Sequence, residues 1–181
     1  DPRRAEKLIR DTELQGANSV TTSGVKPLAH QLEQKQTLSM SDFTRFRGQA
    51  ARANYLGPDR PDIIYAAKKV CRGMSSPTDL HQAALKRMVR YLRSRPRMVF
   101  KFDYQAADHI DAYADTDWAG CPRSRQSTSG GCVMLGSHLL KCWSSTQAGV
   151  AMSSGEADFY GAVTGASTGL GMKALYRDIA H

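Results

Sequence analysis

The sequence predicts an α+β protein: helices first, then strands, then one closing helix. Three observations predict it. Between residues 41 and 96, apolar side chains recur at three- and four-residue intervals, the period of helices with one buried face. From residue 97 the pattern alternates and fills with strand-forming residues, with turn signals between the runs. After residue 153 a long segment returns to helical character. Helices followed by consecutive strands belong to the α+β class, and the change of character falls near residues 97–108.

The elements follow in order. Residues 1–38 are weakly patterned, and QGANSVTTSGVKP is rich in Gly, Ser, Thr and Asn, so residues 1–40 are expected as linker. The segment 41–56 places apolar residues at 43, 46, 50 and 53, one helical face. The segment 59–74 has Pro61 near its first turn and gathers Ile63, Ile64, Ala67, Val70, Cys71 and Met74 on one side. The segment 76–96 opens with Ser76 as N-cap, Pro77 at the first helical position and Asp79 three residues after the cap. Leu80, Ala84, Met88, Tyr91 and Leu92 form its expected buried stripe, and Pro96 ends it. Four strands are then expected in RMVFKFDY, HIDAYAD, STSGGCVMLG and HLLKCWSS, with Gly136-Ser137 as a hairpin turn. The final helix, 153–181, starts from Ser153 or Ser154. Its glycines at 161, 165, 169 and 171 each cost up to ~1 kcal/mol relative to Ala, unless they let the helix lie close to a sheet. The expected organisation is a linker at 1–40, a helical region at 41–97 and a sheet-and-helix region at 98–181.

The chain has 181 residues, enough for one domain or two small ones. No apolar run approaches the roughly 20 residues that span a bilayer. The N-terminus has neither an initiator Met nor an apolar signal core, so we expect no secretory signal, no membrane partner, and a piece of a longer product. Cys71, Cys121, Cys132 and Cys142 form no CxxC pair and no zinc pattern. Reduced thiols in the cytoplasm or nucleus are the expectation.

Charge is distributed unevenly. The net charge is +8, yet residues 109–181 hold five Lys or Arg against six acids, leaving 20 against 11 in residues 1–108. Lys86, Arg87, Arg90 and Arg93 lie off the apolar stripe of their helix, and no acid occurs between Asp79 and Asp103. A single-sign face suits a polyanion such as nucleic acid, whereas a solvated face usually mixes both signs.

The acids of DAYADTDWAG stand out in the basic chain. Asp111, Asp115 and Asp117 share one side of an extended strand with Tyr113. Burying unpaired carboxylates is costly, so this strand end must reach water, a cation or a basic partner. Metal-dependent phosphoryl chemistry uses such oxygen ligands, drawn from several elements, and Glu156 or Asp158 on the last helix could join them. Other candidates are weaker. Ser127, Ser129 and His138 lack an orienting acid, and GASTGLG lies mid-helix rather than after a strand. Trp118 and Trp143 could stack on bases, but at a strand end and within a strand they are expected as core.

The stretch YADTDWAGCPRSRQSTSGGCVMLGSHLLKCWSSTQAGVAMSSGEADFY resembles the ribonuclease H region of copia-type retrotransposon polyproteins. Those read Tyr-Ser-Asp-Ala-Asp-Trp-Ala-Gly, then Arg-x-Ser-Thr-Ser-Gly, Trp-Ser-Ser and Ser-Ser-x-Glu-Ala-Glu-Tyr. Upstream, NYLGPDRPDIIYAAKKVCRGMSSPTDLHQAALKRMVRYLRSRP looks like the thumb-like connection such polyproteins carry between reverse transcriptase and nuclease. The resemblance implies a truncated ribonuclease H-like fold and hydrolysis of the RNA strand of an RNA–DNA hybrid with Mg2+ or Mn2+. It assigns metal binding to Asp115 and Asp158, with Glu156 and Asp117 as further candidates, and makes the rest of the polyprotein a partner.

Two departures qualify that implication. Asp158 stands where the family has Glu, drawing the carboxylate back by about 1–1.5 Å. Misplacement of that size can cost ~10²-fold in rate. The chain also ends at His181, before the family's later catalytic acids, and contains no Tyr-x-Asp-Asp of a polymerase. The expectation is a fragment that is inactive alone. The alternative is a non-catalytic, nucleic-acid-binding remnant of a decayed element.

Overall fold

The computed structural model describes residues 2–33 and 35–179, so the last two residues of the expected final helix lie outside it. The fold is α+β, and the chain divides into two compact units, Asp1–Phe100 and Lys101–His181.

The first unit is helical: α1 (Pro2–Asp11), α2 (Ala29–Glu33), α3 (Met40–Leu56), a 3₁₀ turn at Gly57–Asp59, α4 (Ile64–Cys71) and α5 (Asp79–Ser94). Its core is built from Leu8, Phe46, Ile63, Val70, Leu85, Met88 and Leu92, all fully buried. On α3 the expected face holds, with Phe46, Ala50 and Ala53 buried and Phe43 half-buried. Ser39 caps α3, its Oγ accepting from Asp42 N at 3.3 Å.

Four expectations for this unit need correction. The stretch read as linker contains α1, whose Ala5, Leu8 and Ile9 are buried. A ten-residue helix is marginal by itself and forms because the core rewards its apolar stripe. The second helix begins at Ile64 rather than 59, because the 3₁₀ turn and a turn from Ile63 N to Arg60 O occupy the residues between. The third begins after Thr78, not Ser76. Thr78 pairs with Thr37 in an isolated bridge, and Leu38 N bonds Pro77 O at 3.1 Å, so Pro77 and Thr78 are held extended until α5 starts. His81 then serves the cap, its Nδ1 accepting from Thr78 N at 3.1 Å. Finally, the stripe of α5 is rotated: Leu85 and Val89 are buried and Ala84 is exposed.

A buried ionic network ties the residues before α4 to the end of α5. Arg60 makes a two-point bond to Asp62, Nε to Oδ1 at 2.9 Å and a terminal nitrogen to Oδ2 at 2.8 Å. It also donates to the Arg95 and Pro96 carbonyls at 2.8 and 3.3 Å. Tyr91 Oη donates to Asp62 Oδ2 at 2.9 Å. Burial pushes the Asp62 carboxyl up, but the bonds from Arg60 and Tyr91 outweigh it and leave the pKa below the usual carboxylate value.

The second unit is a three-stranded antiparallel sheet, β1 (Ile110–Asp117), β2 (Thr128–Leu135) and β3 (His138–Thr146), with α6 (Ser154–Ile179) on one face. The hairpin turns at Gly136-Ser137 as expected, with Gly136 at φ 54°, a left-handed conformation that suits glycine. The expected strand at 97–104 does not form. Alternation makes a run able to pair, but pairing needs a neighbour, and β1 bonds β2 instead. Val99, Phe102 and Tyr104 remain exposed. Gln105 anchors the chain that follows, donating to Leu135 O at 2.6 Å and accepting from Ser137 N at 2.9 Å.

The glycines of α6 resolve into two kinds. Ala157, Gly161, Gly165 and Gly169 are buried at four-residue spacing and form the sheet-facing stripe. A Cβ at Gly165 would sit 3.1 Å from Ala114 Cβ, and one at Gly169 would sit 3.2 Å from Ala112 Cβ. At Gly161 it would collide with Thr116 Oγ1. Gly171 has nothing within 4 Å. Close packing therefore explains three of the four.

Candidate functional site

The packing of α6 sets the geometry around the acids. Ala112, Ala114 and Thr116 lie under Gly169, Gly165 and Gly161, so α6 runs antiparallel to β1. The first turns of α6 therefore sit at the end of β1 that carries Asp115 and Asp117. Strand alternation sends Asp111, Tyr113, Asp115 and Asp117 out of the other face. Asp115 and Asp117 are exposed there, opposite Gly130 and Thr128 of β2.

Each acid has a distinct setting. Asp115 stands in the open. Asp117 folds its carboxylate over the turn at residues 118–120, against Gly120, where a Cβ would collide with it. Asp111 belongs to a local cluster: His109 bonds Asp108 at 2.6 Å and lies 3.4 Å from Asp111. The Asp108 bond, then the charges of Asp111 and Asp108, hold the His109 pKa above its ordinary value. Glu156 is engaged in capping α6. Glu156 N donates to Ser153 Oγ at 3.1 Å, while its carboxylate accepts from Met152 N at 2.7 Å and from Tyr160 Oη at 3.2 Å. Ser153 is thus the N-cap. Asp158 is exposed on the first turns, rotated about 100° from the buried Ala157. Asp115, on β1, and Asp158, on the first turns of α6, share one end of the unit. Among the described residues, no group of three or more His, Cys, Asp or Glu side chains could hold a metal ion.

Gln147, which no sequence motif marks, fixes this end of the unit. Its Nε2 donates to Ser129 Oγ at 2.9 Å and to Ala157 O at 2.8 Å, joining β2 to the first turn of α6. Its backbone N bonds Ser127 O at 2.9 Å. Ser127 Oγ in turn accepts from Ala119 N at 3.0 Å, holding the turn after β1. The buried serines are thus structural. Trp118 is half exposed rather than core, and its Nε1 donates to Ala151 O at 3.1 Å. The Trp143 ring lies over Gly131, where a Cβ would meet it. The only sequence signal for Gln147 was its place just after β3, which gives no hint of the contacts.

The basic side of α5 has an occupant. Arg87 donates to Thr22 Oγ1 at 2.8 Å, Arg90 Nε to Asn18 O at 2.6 Å, and Arg93 Nε to Gln15 O at 2.6 Å. Successive arginines thus hold successive points of the loop 15–22, the stretch whose composition read as linker. Lys86 is exposed.

Comparison with known proteins places the chain. It is 36% identical over 154 residues to the retrovirus-related Pol polyprotein from transposon RE1 of Arabidopsis thaliana, covering 84% of this chain and 10% of that protein. It is 38% identical over 120 residues to the corresponding polyprotein from transposon RE2 of the same plant, covering 66% of this chain and 8% of that protein. An uncharacterized mitochondrial protein of Arabidopsis thaliana is 33% identical over 139 residues, covering 74% of this chain and 58% of its own length. No family model and no solved structure matches. The chain spans a tenth or less of the length of the two polyproteins. With these relatives, and with the Asp-x-Asp-Trp-Ala-Gly and Ser-Ser-x-Glu-Ala motifs in place, the chain belongs to the Pol polyproteins of copia-type retrotransposons.

Proposed function

We propose that this chain is the part of a retrotransposon polyprotein that joins reverse transcriptase to ribonuclease H, together with the first portion of the nuclease, and that alone it does not cleave RNA. The observation that supports the reading best is the register of α6 on β1, which carries Asp158 to the Asp115 end of the sheet. Carboxylate oxygens suit a hard divalent cation such as Mg2+ or Mn2+. Two carboxylates do not, however, make a two-metal centre, and among the described residues no group of three or more His, Cys, Asp or Glu side chains could hold a metal ion. The acids of this chain thus fit such a centre only in part, and further ligands must come from other parts of the polyprotein. Asp158 in place of Glu deepens the deficit.

The test is a labelled RNA–DNA hybrid incubated with the chain and Mg2+ or Mn2+. No specific cleavage is expected. Cleavage that disappears in Asp115→Asn would overturn the proposal that the isolated chain is inactive. A second reading, nucleic-acid binding without catalysis, draws on the single-sign side chains of α5. The loop bonds count against it in part, although a guanidinium has five N–H donors and one bond does not exhaust them. If Lys86, Arg87, Arg90 and Arg93 contact phosphates, affinity for the hybrid falls with added salt, and replacing them by Gln flattens that slope. A slope unchanged by the four substitutions would rule it out.

A further inference from the structure

The face of the sheet opposite α6 carries a feature that the nuclease reading leaves unused. Cys132 on β2 and Cys142 on β3 are directly opposed in register. Opposed residues of antiparallel strands have Cα atoms about 4.5–5.5 Å apart, and a disulfide spans about 4.4–6.8 Å. Both thiols are free and only half-buried, so a small reagent can reach them. Cys121, by contrast, is buried, and Cys71 belongs to the helical unit. Burial, and then the charge of Cys132, raise the Cys142 pKa.

We propose that Cys132 and Cys142 form a cross-strand dithiol, a modification site at which a low-molecular-weight disulfide such as oxidised glutathione closes a reversible bond between β2 and β3. The Cys132 thiolate attacks one sulfur of glutathione disulfide, forming a mixed disulfide and releasing one glutathione thiolate. Cys142 loses its proton as its sulfur attacks Cys132 Sγ, and the second glutathione leaves. Two cysteine thiols are oxidised, one glutathione disulfide is reduced to two glutathiones, and the two thiol protons pass to the departing thiolates. The second role suits Cys142, whose pKa burial raises, because the resolving sulfur needs proximity more than standing ionisation. The ring that closes is short and lies within one hairpin, so the product needs no rearrangement of strand order.

The experiment incubates the reduced full chain in graded mixtures of reduced and oxidised glutathione, then alkylates remaining thiols and maps the peptides by mass. The expected product is one intramolecular Cys132–Cys142 bond, lighter by about 2 Da, formed while Cys71 and Cys121 are still alkylated. In Cys142→Ser, the glutathione adduct should instead accumulate on Cys132. The proposal is overturned if wild-type Cys132 retains a stable glutathione adduct, if the bond forms between two chains, or if both thiols remain alkylatable once Cys71 has been modified. The readout in the unaltered chain stands whether or not the serine variant folds, and it is independent of any nuclease activity.

Discussion

The same substitution at two glycines of α6 should move stability in opposite directions. Gly171→Ala places a methyl group in open space, so the helix gains up to ~1 kcal/mol from the lost backbone freedom of glycine in the unfolded chain. Gly161→Ala has the same propensity gain, but its Cβ collides with Thr116 Oγ1 of β1. Overpacking of this kind costs about 1–3 kcal/mol, which gives a net loss of roughly 0–2 kcal/mol. The two variants should therefore differ by about 1–3 kcal/mol, and each 1 kcal/mol shifts the Tm of a unit this size by about 4–8 °C. Both tryptophans, Trp118 and Trp143, lie in the sheet-and-helix unit, so intrinsic fluorescence follows its unfolding separately from the helical unit. The cycle closes with Thr116→Ala, since the next atom near the added Cβ besides those of Thr116 is Ser129 Oγ at 3.7 Å. In the Thr116→Ala background, Gly161→Ala should lose its penalty. If Gly161→Ala raises Tm as much as Gly171→Ala does, α6 does not lie on β1 in this register, and the placement of Asp158 falls with it.

Other predictions test the remaining supports. Asp62→Asn should cost ~3 kcal/mol or more in the helical unit, because it breaks a buried pair and leaves Arg60 uncompensated; hydrogen exchange of α5 amides measures it. Because the folded pKa of Asp62 lies below its unfolded value, the stability it contributes is full above the unfolded pKa, near 3.9. It fades as pH falls through the folded pKa, and Asp62→Asn should abolish that acid-side slope. Gln147→Ala should cost about 1–3 kcal/mol in the fluorescence transition, since Ala157 O and Ser129 Oγ lose their donor. Replacing Arg90 and Arg93 together by Gln should speed proteolysis within residues 15–22 and leave the fluorescence transition unchanged.

How much of this was legible depended on whether a signal was local. The α3 face at 46, 50 and 53, the Gly136 turn and the Ser153 cap each follow from a few neighbouring residues, and each is present. Apart from the start of α4, which local turns set, the misses involve long-range partners. α1 is helical because a core exists to bury Leu8, and residues 97–104 are not a strand because β1 takes β2 as its ladder neighbour. Thr78, not Ser76, caps α5 because residues 36–38 bond to Pro77 and Asp79 across about forty positions. The Asp62 network is the same case, joining two turns that no periodicity connects.

The arginines of α5 carry the sharpest lesson, because one pattern supported two physical roles. A run of cations without acids suits phosphates, and its charge is the same whatever its neighbours. What changes is the nearest acceptor. Arg90 and Arg93 bond carbonyls of the loop 15–22, whose Val20 also packs against the helical core. Each bond gives the loop a fixed point at low cost, because a guanidinium can donate elsewhere while it holds a carbonyl. A polyanion arriving at this face must therefore share these side chains with the loop or displace it. If phosphates win, residues 15–22 should become more open to protease when nucleic acid is added. If the arginines share, the loop should be as protected with nucleic acid as without it.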